Sequence, residues 1–138
     1  MAVKYILDSC ALLAYVYREN GNDVVKSVLK QADEGSIMLY MNKINLFEAY
    51  YDISRSEGLQ QAEDFYKMIL ASSIHIIDGI SDAVFREARR IKLSYRMSLA
   101  DSIALGEASV QEASILTSDH HEFDPVEQNE SIKFAWIR

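Results

Sequence analysis

The sequence predicts an α/β fold: a three-layer α/β/α sandwich built on a mostly parallel sheet of about five strands. Short apolar, β-rich runs alternate along the chain with longer segments whose apolar residues recur at helical spacing, as parallel strands joined by helical crossovers require. Punctuation is sparse, with one proline and five glycines in 138 residues, so long irregular connections are not expected. No repeat or low-complexity run interrupts the chain, and residues 1–138 read as a single domain.

Residues 3–7, Val-Lys-Tyr-Ile-Leu, form the first predicted strand. A helix follows over 9 to 18, with Ala11, Leu12, Ala14, Tyr15 and Val16 as its apolar contacts. Asn20-Gly21-Asn22-Asp23 is a turn and a helix start. Val24, Val25, Val28, Leu29 and Ala32 then repeat at helical spacing until Gly35. Residues 37–41 are the second strand, 42–57 a helix stopped by Gly58, and 59–71 another helix. The third strand is 74–77. Helices over 81–95 and 98–113 meet at Arg96-Met97, and strands over 115–117 and 132–137 complete the sheet. No helix is assigned between the last two strands.

Composition narrows the function. Hydrophobic residues make up 49% and charged residues 25%, an ordinary globular balance. Cys10 is the single cysteine, so no intramolecular disulfide forms and a reducing compartment is expected. No stretch is long and apolar enough for a bilayer, and the N-terminal residues lack a signal pattern, so a cytoplasmic protein is expected. Fourteen basic and twenty-one acidic side chains give a net charge of −7. That excludes binding nucleic acid by bulk positive charge. It does not exclude a site where acids hold a divalent cation against phosphate.

Four acids stand out. Asp8 ends the first strand, and Asp119 follows the apolar run Ile115-Leu116-Thr117-Ser118. In a parallel sheet, functional clefts lie beyond the carboxyl ends of the strands, where these two acids fall. Glu48 lies among Leu46, Phe47, Ala49 and Tyr50, and Asp101 among Leu99, Ala100, Ile103 and Ala104. Each alone has a structural use. Asp8 and Asp119 suit caps, Asp101 stands three residues after Ser98 as in a capping box, and Glu48 stands likewise after Asn45. Together they do not: two carboxylates about 4 Å apart repel by about 4 kcal/mol at an effective dielectric near 20. No lysine or arginine adjoins any of the four in sequence. Mg²⁺ or Mn²⁺, hard cations that take oxygen ligands and leave water positions open, are the natural compensating charges. Such a site suits phosphodiester hydrolysis.

These residues resemble the PIN-domain ribonucleases, and within them the compact VapC-type toxins of toxin–antitoxin pairs. Tyr5-Ile6-Leu7-Asp8-Ser9-Cys10-Ala11-Leu12-Leu13-Ala14 is similar to that family's first-strand motif. Asn45-Leu46-Phe47-Glu48-Ala49 resembles its glutamate motif, Ser98-Leu99-Ala100-Asp101-Ser102-Ile103-Ala104-Leu105 its central aspartate helix, and Leu116-Thr117-Ser118-Asp119-His120-His121-Glu122-Phe123 its last acidic motif. The resemblance implies that Asp8, Glu48, Asp101 and Asp119 are the metal-binding, catalytic acids. Ser9 and Thr117 would orient carboxylates or waters. Apart from the resemblance, the Asp-x-x-x-x-Asp spacing from Asp119 makes Asp124 a peripheral candidate ligand. The resemblance also implies a Mg²⁺- or Mn²⁺-dependent endoribonuclease with an RNA substrate, a cognate antitoxin and a homodimeric state.

Other residues invite roles. Cys10 reads as a small buried hydrophobe rather than a nucleophile. His120 and His121 read as solvated loop residues, since adjacent histidines lack the usual zinc-ligand spacing. Asp124 also reads as a cap before Pro125. Arg86, Arg89, Arg90 and Lys92 read as a solvated helix face, with RNA contact the alternative. Eight tyrosines exceed the needs of a small core, and some suit a partner interface. Two rival functions remain: a non-catalytic interaction module with the same fold, and a phosphoryl-transfer α/β domain of haloacid-dehalogenase or receiver type. The first phosphoryl-transfer pattern wants Asp where Cys10 stands, and the second wants an acidic pair where Leu7-Asp8 supplies one acid.

Overall fold

A computed structural model describes residues 3–138. In order, the elements are β1 (Val3–Leu7), α1 (Ser9–Val16), α2 (Asn22–Asp33), β2 (Ile37–Asn42), α3 (Lys43–Glu57), α4 (Leu59–Leu70), β3 (His75–Ile77), α5 (Asp82–Ser94), α6 (Leu99–Gln111), β4 (Ser114–Thr117), α7 (His120–Asn129) and β5 (Phe134–Trp136). The five strands form one sheet in the order β3-β2-β1-β4-β5, and all four ladders are parallel. Central β1 pairs Tyr5 with Leu39 on one side and Leu7 with Leu116 on the other.

Strand alternation sends successive side chains to opposite faces, and both faces are covered. Leu7, Leu39, Met41 and Leu116 pack with Leu12 of α1, Val25 of α2, Leu46 of α3 and Phe65 of α4. Ile6 and Ile115 point the other way, against Ile91 of α5, Leu105 of α6 and Phe123 of α7. The three-layer sandwich follows from a period of two in the strands meeting amphipathic helices on each side. A smaller cluster of Val84, Ala88 and Ile103, with Ile44 against it, joins the start of α3 to α5 and α6.

From β1 the sheet grows outward in both directions, so the crevice between β1 and β4 is the topological switch point. Helix starts are fixed there by side-chain caps. Asp8 accepts from the Ala11 N–H, Ser98 from Asp101, and Asp119 from Glu122. Glu48 and Asn45 form no capping box: α3 starts at Lys43, and Asn42 caps it by accepting from the Ile44 N–H at 3.0 Å. The Asn42 amide also donates to the Gly79 carbonyl and to buried Glu107, tying the end of β2 to α6.

α7 lies where the sequence assigns no helix, and Pro125 hides it. Proline removes the N–H that would bond the His121 carbonyl. His121 has a side chain 93% exposed, so solvent is at hand for that carbonyl. Meanwhile Phe123 and Val126 are fully buried, and Asp119 caps the first turn. Packing and capping offset the one lost bond. Gly21, capping α2 at φ +93°, is required by space as well as by dihedral: a Cβ there would stand 2.6 Å from the Ile137 carbonyl oxygen.

Candidate active site

Asp8 is the most buried of the four acids, at 2% exposure. Its Oδ1 accepts from the Ala11 N–H at 2.8 Å, and its Oδ2 accepts from the Thr117 hydroxyl at 2.5 Å. Burial pushes this carboxyl from its ordinary 3.8 to about 7, against those two hydrogen bonds; the charges of Asp101 and Asp119 push it the same way. Asp101, at the third position of α6, is half-buried. It too is pushed up to about 7, by burial first and then by Asp119 and Glu48. Asp8 thus lies in the field of Asp101 and Asp119, and Asp101 in that of Asp119 and Glu48.

The remaining contacts hold the cluster from outside. Ser9 donates to Glu48 Oε1 at 2.5 Å, linking the start of α1 to α3. Thr117 bridges two acids: while its hydroxyl donates to Asp8, its oxygen accepts the Asp119 N–H at 3.1 Å. Among the described residues, none of the four carboxylates forms a salt bridge to lysine or arginine. No three Asp, Glu, His or Cys side chains among those residues are drawn together tightly enough to hold an ion as they stand. An all-oxygen donor set, mutual repulsion without a cationic partner, and raised carboxyl pKa values are nevertheless the chemistry that a hard divalent ion fits.

Two contributors escape the sequence reading. Asn45 is fully buried and donates to the Ala100 carbonyl at 3.0 Å, fastening α3 one turn before Glu48 to α6 one residue before Asp101. Its Oδ1 has no protein partner. A polar residue inside the run Ile44-Asn45-Leu46-Phe47 was the signal available. Glu122, capped into α7, adds its negative field to Asp101.

Other expectations need correcting. Cys10 is exposed in the first turn of α1, not a buried hydrophobe. Its thiol is still poorly solvated and lies near Asp8 and Asp119, which together push it to about 12, so it is no nucleophile at neutral pH. His121 is solvated, but His120 is not a free loop residue. It opens α7, stacks on Trp136 at 3.7 Å between ring centroids, and has Nδ1 2.8 Å from Asp124 Oδ1 and Nε2 2.8 Å from the Arg138 carbonyl oxygen. Asp124 thus has Oδ1 on His120 within α7, rather than capping a turn before Pro125. In the basic patch, Arg90 is committed to Glu87 and Glu130, and Lys92 to the Met97 carbonyl, while Arg86 and Arg89 are exposed.

The sequence model of the PIN domain matches residues 5–128, nearly the whole chain. The chain belongs to the PIN-domain family. Similar solved folds include the DNA-bound VapBC of Salmonella typhimurium, at TM-score 0.75 and 13% identity over 99% of both chains. A toxin–antitoxin complex of Klebsiella pneumoniae follows at TM-score 0.67 and 17% identity, covering 97% of this chain and 98% of the other. VapC20 of Mycobacterium tuberculosis, described as a sarcin-ricin loop cleaving toxin, has TM-score 0.67 and 9% identity over 88% of this chain and 94% of its own. No curated protein matches significantly in sequence. At such identities the likeness is one of fold. In this PIN domain Asp8 directly follows β1 and Asp119 lies just beyond β4, on the two sides of the β1–β4 switch point.

Proposed function

We propose that this PIN domain is a divalent-metal-dependent endoribonuclease and the toxin of a toxin–antitoxin pair. The observation that carries the reading is Asp8. A carboxyl buried this deeply, gripped by Ala11 and Thr117 and raised to about 7 beside Asp101 and Asp119, is costly unless a cation uses it. Structural caps do not need repelling neighbours.

Asp8, Glu48, Asp101 and Asp119 would hold Mg²⁺ or Mn²⁺, with Asp124 engaged by His120 and at most peripheral. The chemistry such an ion supplies is neutralisation of charge on the phosphate and acidification of water. This chain's own residues do the positioning. The Ser9 hydroxyl orients Glu48, the Thr117 hydroxyl orients Asp8, and the Ala11 N–H keeps Asp8 turned into the start of α1. Each Asp8 oxygen accepts one such bond and retains a lone pair for a further partner.

The toxin reading rests on the fold neighbours, several of which are toxin–antitoxin complexes. Exposed apolar side chains suit an antitoxin and a second copy of the chain: Phe47 and Tyr51 on α3, stacked 6.3 Å apart, and Phe85, Leu93 and Leu99 on α5 and α6. No helix among the described residues is long and apolar enough to cross a membrane.

The test is cleavage of a structured RNA with Mg²⁺ or Mn²⁺ by the unaltered protein and by Asp8→Asn. We expect cleavage to vanish in the variant while the circular dichroism spectrum is unchanged. Undiminished cleavage in Asp8→Asn rejects the assignment of Asp8. No thermal stabilisation of the unaltered protein by millimolar Mn²⁺ favours the non-catalytic interaction module instead.

A further inference from the structure

We propose that His120 is a positioning residue for Asp119: its ring clasps the first turn of α7 to the end of β5 and so fixes where the Asp119 carboxylate stands. The inference rests on the metal-site reading above and adds a residue to it.

Asp119 occupies the joint between β4 and α7, at φ −85° and ψ 72°, outside both the helical and the extended region. Upstream it is tethered by its N–H to the Thr117 hydroxyl oxygen. Downstream its Oδ1 accepts the Glu122 N–H at 3.1 Å, and its carbonyl accepts the Phe123 N–H at 3.0 Å. Those two bonds tie the carboxylate to α7, so it moves if the first turn of α7 moves. Within that turn Phe123 anchors one side in the core. On the opposite side the residue bound to the rest of the fold is His120.

The His120 clasp has three parts. The ring lies flat on Trp136, with planes 12° apart. Trp136 is itself held by stacking on Phe134 at 5.3 Å and by donating to Glu127 at 3.0 Å. Nε2 reaches the Arg138 carbonyl, while the Arg138 guanidinium donates to the Asn20 carbonyl at 2.8 Å and lies 3.5 Å from Glu19. Nδ1 meets Asp124 one turn along α7. One side chain thus connects α7, β5 and, through Arg138, the α1–α2 connection. Both ring nitrogens are engaged, by Asp124 and by the Arg138 carbonyl, so the role of His120 runs through Asp119 rather than through a ligand bond of its own. The same geometry assigns Asp124 to the clasp rather than to the ion. Outer contacts that orient ligand carboxylates change metal affinity by about 10–100-fold when removed.

The test compares the unaltered protein, His120→Ala, and His121→Ala as a control at an exposed neighbour. Mn²⁺ affinity is measured by calorimetry, the metal-free melting temperature by circular dichroism, and kcat and KM with RNA. We expect His120→Ala to weaken Mn²⁺ binding about tenfold and to lower kcat more than it raises KM, with His121→Ala near the unaltered protein. A merely structural histidine would lower the metal-free melting temperature and leave Mn²⁺ affinity within twofold; that result overturns the proposal. If His120→Ala fails to fold, His120→Gln, whose amide keeps a donor, is read by the same criteria. Absence of Mn²⁺ binding by the unaltered protein rejects the metal-site reading and this proposal together; equal binding by the unaltered protein and His120→Ala rejects this one alone.

Discussion

Asp8 illustrates how one residue serves structure and chemistry at once. It caps α1 through the Ala11 N–H, yet its burial beside Asp101 and Asp119 makes its charge expensive without a cation. A stability prediction follows with a definite sign. Asp8 and Asp101 are raised from 3.8 to about 7 in the fold, so between those values the folded state binds more protons than the unfolded one. Their contribution is therefore fully present below pH 3.8 and lost as pH rises through about 7. In chelator, the melting temperature should fall between pH 5 and pH 8 by on the order of 5–10 °C, and Asp8→Asn should flatten that fall. A melting temperature that rises over this range contradicts the raised carboxyls. Thr117 contributes through its hydroxyl, which meets Asp8 and the Asp119 N–H together. Thr117→Val keeps the shape and loses both contacts; cleavage should drop about 10–100-fold with little change in far-ultraviolet circular dichroism.

At the scale of elements, placement of the acids depends on helix starts. α1, α6 and α7 each begin with a side-chain cap at the cleft end of the sheet. Ser98→Ala removes the cap of α6 and should cost about 1 kcal/mol, read by urea denaturation. Gly21→Ala strains a left-handed position and drives a methyl into the Ile137 carbonyl, so it should cost more, about 1–3 kcal/mol. Equal losses from the two variants would show that the Ile137 contact yields easily. Strands were legible as short apolar, β-rich runs, and most helices because apolar residues recur at helical spacing. α7 was not. Pro125 signalled a break, and only burial of Phe123 and Val126 against the sheet makes the lost bond tolerable. The start of α3 was legible at Asn42, and the alternative capping box of Asn45 with Glu48 does not form because Asn45 is drawn inward to Ala100.

For the whole molecule, a net charge of −7 separates binding from catalysis. RNA affinity should depend less on salt than that of a basic nuclease, because few phosphate contacts can release counterions; a steep fall in affinity between 50 and 200 mM salt, of the order of a thousandfold, would contradict this. Divalent metal should stabilise the fold by about 2.7 kcal/mol at a hundredfold excess over its dissociation constant, visible as a higher melting temperature at pH 8. The alternation of short apolar runs with helical segments determined the α/β class, the mostly parallel sheet and the placement of Asp8 and Asp119 beyond strand ends, since each run is read locally and a helical crossover between strands sets them parallel. The acids were legible because carboxylates in apolar runs are rare without a purpose. Tertiary structure alone decided that Thr117 holds Asp8, that Ser9 holds Glu48 across 39 positions of sequence, and that His120 is clasped to Trp136 and Arg138. Those contacts join segments distant in sequence, and they exist only once the sheet has set β2, β1, β4 and β5 in that order.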